Sequence, residues 1–127
     1  KPHIFDILSK KLILLTPEEW VRQHVINFLI SHNIPKNHIA VEKKIIINKM
    51  TKRFDLVVHD RDGNVLLLIE CKAPNIKIDQ KTFDQTSIYN QYLKSKYLMI
   101  TNGLNHFYFK VDGKAKTYNF VKKFPLI

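Results

Sequence analysis

The chain has 127 residues and a formal charge of +10, from 21 Lys and Arg against 11 Asp and Glu. With 45% apolar residues, 3 Gly and 5 Pro it suits one folded domain (1–127) rather than a disordered tail, and it has no run of about 18 apolar residues to cross a membrane. A single cysteine, Cys71, excludes an internal disulfide framework and a multi-cysteine zinc site, and fits a reducing, cytoplasmic setting.

Residues 1–15 read as a lead-in to the domain, opening on Lys rather than Met as part of a longer product would. The first clear element is a helix from Pro17 to about His32. Thr16 suits the N-cap, Pro17 the first helical position and Glu19 the acid of a capping box. Val21, Val25, Phe28 and Leu29 recur at helical spacing and predict its buried stripe. Ile39 to Ile47 is β-branched and alternating, and reads as a strand. Phe54–His59 and Asn64–Lys72 are two more, with Asp62-Gly63 as the expected two-residue turn between them. Asp79 caps an expected second helix reaching about Lys96, with Phe83, Ile88 and Tyr92 inward. Tyr97–Thr101, His106–Val111 and Lys116–Phe120 read as short strands. The order predicts a mixed α/β domain with a central sheet flanked by helices.

Placing Arg61 opposite Asn64 puts Asp55 opposite Glu70 and Arg53 opposite Lys72. Side chains alternate faces, so Asp55, Glu70 and Lys72 project together. Two facing carboxylates repel, and a hard divalent ion such as Mg²⁺ relieves the repulsion. Lys72 is suited to orient a water for attack on a phosphodiester. The alternative is a solvated cross-strand cluster of Lys and carboxylates. His59 falls on the same face as Asp55, either flanking the site or simply packing.

The charge is unevenly placed. Lys36, Lys43, Lys44, Lys49, Lys52 and Arg53 stand against Glu42 alone in one stretch. Lys110, Lys114, Lys116, Lys122 and Lys123 stand against Asp112 in another. Both stretches suit the tracking of a phosphate backbone, or are solvated strand faces.

Phe54-Asp55-Leu56-Val57-Val58 and Glu70-Cys71-Lys72, with fourteen residues between Asp55 and Glu70, resemble the PD-(D/E)xK nuclease core. Together with Thr16-Pro17-Glu18-Glu19-Trp20-Val21-Arg22-Gln23, Gln85-Thr86-Ser87-Ile88-Tyr89 and Tyr97–Gly103, they are similar to the N-terminal nuclease domain of type I restriction enzyme R subunits. The likeness covers residues 16–109, leaving 110–127 as a basic strand and tail.

The resemblance implies a restriction-endonuclease-like core and a Mg²⁺-dependent endodeoxyribonuclease, with Mn²⁺ as a substitute. Asp55 and Glu70 would hold the metal with the Cys71 backbone carbonyl, and Lys72 would be the catalytic lysine. Glu19 corresponds to the family's helix glutamate, besides its capping role. Gln85, Tyr89 and Arg22 would position substrate, and Lys43, Lys44, Lys49, Lys52 and Arg53 would bind nucleic acid. Expected partners are DNA and the motor, methyltransferase and specificity subunits of a restriction complex. The alternative is a catalytically silent DNA-binding or docking module of the same fold. No G-x-x-x-x-G-K-[ST] run is present to serve a motor.

Overall fold

The computed structural model describes residues 1–114 and 116–126. Two short strands, β1 (His3–Asp6) and β2 (Lys11–Leu14), open the chain, followed by α1 (Pro17–Ser31) and a 3₁₀ turn at Lys36–His38. Then come β3 (Ile39–Ile47), β4 (Met50–His59), β5 (Val65–Cys71), α2 (Gln80–Leu93), β6 (Tyr97–Thr101), β7 (His106–Asp112) and β8 (Thr117–Val121). Strands β3 to β8 form one six-stranded sheet in chain order. All neighbours are antiparallel except β5 and β6, which run parallel and are joined through α2. This is the expected mixed α/β architecture.

Local chemistry sets the helix ends. Thr16 Oγ1 accepts the Glu19 N–H at 3.0 Å, and Asp79 Oδ1 accepts the Thr82 N–H at 3.0 Å. Helix α1 gives way to Asn33 and α2 to Lys94, both left-handed. Each helix covers one face of the sheet. Val21, Val25, Ile26 and Leu29 of α1 pack on Leu56, Val58, Leu67, Ile69, Cys71 and Met99. Phe83, Tyr89 and Leu93 of α2 pack on Phe54, Val57, Leu68, Leu98 and Ile100.

Several expectations change. The lead-in holds the β1–β2 hairpin, whose turn places Ile7 and Leu8 against the α1 core. Its left-handed residue is Lys10 rather than a glycine, so the usual turn signal is missing. Helix α2 stops at Leu93, and Ile88 and Tyr92 are 55% and 52% exposed. Thr86 and Asn90 are buried instead. Their polar atoms are satisfied, Thr86 Oγ1 donating to the Thr82 carbonyl and Asn90 Oδ1 accepting from Ser95 Oγ at 2.6 Å.

The β4–β5 connection is residues 60–64 rather than the two-residue turn Asp62-Gly63. Asp60 Oδ1 accepts the Asp62 and Asn64 N–H groups and builds it. His59 pairs with Val65, whereas Val58 pairs with Leu67, so a bulge at Leu66 absorbs the odd loop. Beyond the bulge, Val57↔Leu68 and Leu56↔Ile69 follow the register that aims Asp55 at Glu70.

Candidate active site

Strand β4 turns over at Asp55. Leu56 and Val58 lie in the α1 core, while Phe54 and Val57 both lie in the α2 core, which strict alternation forbids. Glu42 lies across from Asp55, between the pairs Val41↔Leu56 and Lys43↔Phe54, with a left-handed φ of 52°. At this irregularity the Asp55 side chain reaches both α1 and the neighbouring strand β5.

Asp55 Oδ2 accepts the Cys71 N–H at 2.8 Å, and Oδ1 accepts from Arg22 Nη2 on α1 at 3.3 Å. Its carboxyl group also lies close enough to that of Glu70 to raise the Glu70 pKa. The two acids therefore adjoin, as the register required. Burial raises the Glu70 pKa to about 8, and Asp55 pushes the same way. Lys72 and Lys52 pull back in the opposite direction. Lys72 stands just past β5, half-buried, its N–H donating to the Thr101 carbonyl at 2.8 Å. Burial, then the charge of Asp55, holds the Cys71 thiol well above its ordinary range, so this sulfur stays protonated as a core atom.

Glu19 and Arg22 meet the sheet from α1. Arg22 Nη1 donates to Glu19 Oε1 at 2.8 Å and lies 3.6 Å from Glu42 Oε1. Three carboxylates thus surround one guanidinium. Burial alone would lower the Arg22 pKa, but Glu19, Asp55 and other anions more than offset that, and the net shift is upward. Of the two roles open to Arg22, pairing with Glu19 or touching phosphate, the structure shows the pairing. Gln23, with no role in the sequence expectations, is buried and donates through Nε2 to Glu19 Oε2 at 3.2 Å. Its Oε1 is buried without a hydrogen-bond partner, an oxygen left over beside the acidic group. In the sequence Gln23 stands only as the last residue of the Thr16–Gln23 block, with no role of its own, since a buried amide on a helix face looks like any polar residue.

The donor chemistry fits a hard cation. Among the described residues no three His, Cys, Asp or Glu side chains converge as a metal cage. Asp55 and Glu70 offer a sparser, two-carboxylate oxygen set, the kind that would hold Mg²⁺ together with water.

The remaining residues are dispersed. Gln85 is exposed on α2 and makes no hydrogen bond among the described residues, whereas Tyr89 is half-buried and meets Phe54 edge-on. Lys52 Nζ lies 4.4 Å from the centroid of the Tyr89 ring, and Lys43 Nζ lies 3.2 Å from His59 Nε2. His59 therefore sits by the hairpin loop rather than beside Asp55. Lys44 and Arg53 face each other across β3 and β4, exposed, and Lys49 occupies the turn beyond them. The Arg22, Glu19 and Asp55 side chains are only 11%, 14% and 15% exposed. The cavities, of about 510, 360 and 250 Å³, lie elsewhere, lined by groups such as Asn90 and Tyr118, Phe83 and Phe107, or Trp20 and His106.

Residues 17–125 match the family described as the type I restriction enzyme R protein N terminus. The chain belongs to this family. The family match begins at α1, so the β1–β2 hairpin lies outside it. Among solved structures, the chain is similar to a fragment assigned as the HsdR subunit of a type I restriction enzyme from Vibrio vulnificus. That likeness has 21% identity and a TM-score of 0.59 over 87% of this chain, which spans 24% of the Vibrio chain. A protein from Anabaena variabilis assigned as a nuclease of the DUF820 group is similar at 9% identity and a TM-score of 0.53, covering 91% of this chain and 74% of that one. No curated protein matches. At these identities the structural likenesses establish the fold, which is restriction-endonuclease-like.

Proposed function

We propose that this domain of the family is a metal-dependent DNA endonuclease, hydrolysing phosphodiester bonds in a restriction-modification system. One observation carries the reading: Asp55 on β4 and Glu70 on β5 stand close enough for Asp55 to raise the Glu70 pKa, with Lys72 near enough to oppose that shift. Two acids held together at such electrostatic cost suit a cation-dependent reaction better than a structural contact. Asp55 and Glu70 would hold Mg²⁺ or Mn²⁺, with the Cys71 backbone carbonyl as a further oxygen. The ion supplies charge neutralisation at phosphate and a water of lowered pKa. Lys72 places its ammonium where negative charge grows during attack. Glu19 orders Arg22, and Arg22 holds Asp55 in the direction of Glu70. Tyr89, which meets Phe54 and Lys52, and Gln85 on the same helix would contact DNA. Motor, methyltransferase and specificity subunits would be supplied by the larger complex, in the cytoplasm.

A second reading, a silent DNA-binding or docking module, draws on Arg22, whose guanidinium already neutralises Asp55 without any metal. Plasmid cleavage with Mg²⁺ or Mn²⁺ separates the two. The nuclease reading expects wild type to cut and Asp55→Ala and Lys72→Ala to lose at least about a hundredfold in rate. Equal rates for all three proteins would leave the silent module.

A further inference from the structure

Strands β3 and β4 extend beyond the rest of the sheet. The pairing of β4 with β5 reaches only from His59 to Leu56, while its pairing with β3 continues to Ile47↔Met50. Residues 43–54 are therefore a two-stranded ribbon rooted at Asp55. The tight turn at Asn48-Lys49 has both residues left-handed, with φ of 50° and 65°, as a two-residue hairpin requires.

One face of the ribbon is covered. Ile45 and Phe54 pack in the α2 core, and Lys52 caps the Tyr89 ring. The other face carries the cross-strand pairs Lys44↔Arg53 and Ile46↔Thr51, all exposed, with Ile46 at 78%. Lys49 and Met50, the latter 72% exposed, complete the tip. The segment from Lys43 to Phe54 contains five cations and no acid.

We infer that the free face of this ribbon is a DNA-contacting arm, in which Lys44, Arg53 and Lys49 take phosphates and Ile46 meets the groove. The inference rests on the nuclease reading for its substrate and narrows it, since Lys43 and Lys52 drop out of the contact. A ribbon two strands wide matches the major groove, about 12 Å across. From Asp55 to Met50 the strand spans roughly 17 Å, half the roughly 34 Å rise of a DNA turn. The arm thus holds the duplex half a turn from the phosphate presented to Asp55 and Glu70. Charge complementarity selects the partner: an apolar protein groove would leave the cations unmatched.

The experiment is a salt titration of binding to a labelled duplex in chelator, read by fluorescence anisotropy. Lys44→Ala with Arg53→Ala should weaken binding about tenfold and reduce the slope of log K against log salt by about two. Ile46→Ser should weaken binding with the slope unchanged, and Lys11→Ala on the distant hairpin should alter neither. Thermal melts of each variant establish that it folds. Wild-type affinity and slope in the Lys44–Arg53 double variant, or an equal loss in Lys11→Ala, overturns the arm. Arm-dependent binding by a protein that never cuts overturns the nuclease reading alone.

Discussion

Asp55 and Glu70 are two acids that stay side by side only by sharing a proton or a cation. Without metal the folded Glu70 holds its proton up to about pH 8, and its ordinary value is 4.5. Between these values the folded state binds more protons than the unfolded one, so stability falls as pH rises. The contribution is complete below the ordinary value and gone above the raised one. Its slope is at most about 1.4 kcal/mol per pH unit, one proton's worth. Urea denaturation in chelator should therefore show wild type losing stability from mildly acidic to mildly alkaline pH, and Glu70→Gln losing less. Identical slopes would mean that Glu70 does not retain the proton. The spacing of Asp55, Glu70 and Lys72 was legible because strand alternation is a short-range rule. The clasp of Arg22 on Asp55 spans 33 positions and two element types, so no periodicity announces it. Nor does anything mark Glu42, whose left-handed backbone favours a glycine that the sequence does not place there.

At the scale of elements, α1 is the part that must stay in place for Glu19 and Arg22 to reach the sheet. Its seat includes the turn after β6. Gly103 there has φ of +88°, and a Cβ would stand 3.1 Å from Trp20 Cζ3 and 3.2 Å from Val21 Cγ2. Val21 is fully buried. Gly103→Ala is expected to cost about 2 kcal/mol through backbone strain and crowding together. Gly113→Ala, with open space around its Cβ, is the matched control and should stay within about 0.5 kcal/mol of wild type. Equal denaturation midpoints for the two variants would show that the turn does not support α1. The element order was legible because β-branched runs, capping residues and Asx-Gly turns are strong local signals. The inward face of α2 was not, because Thr86 and Asn90 are polar: Thr86 satisfies its hydroxyl on its own helix, and Asn90 is explained by Ser95 and Tyr118 beyond it. The bulge at Leu66 was equally hidden, since it compensates for a loop length that the Asp-Gly pair did not betray.

Across the whole molecule, the two basic stretches occupy opposite edges of one sheet, since β3 is first and β8 last in the strand order. Five strand spacings separate them, roughly 24 Å. Two charged patches that far apart act independently once screening is shorter than their separation, and the Debye length is about 10 Å at 0.1 M salt. The net charge of +10 therefore works as two handholds rather than one field. Substitution of Lys44 and Arg53 at one edge, and of Lys122 and Lys123 at the other, tests this as a double-variant cycle on DNA affinity. At physiological ionic strength the two losses should add to within about 0.4 kcal/mol. At about 0.01 M salt the Debye length reaches about 30 Å, longer than the gap, and a coupling between the edges should emerge. Strong coupling at high salt would mean that the duplex bridges both edges as one rigid contact. No loss from the Lys122–Lys123 pair at either salt would reduce that edge to a solvated surface and leave the β3–β4 ribbon as the sole grip.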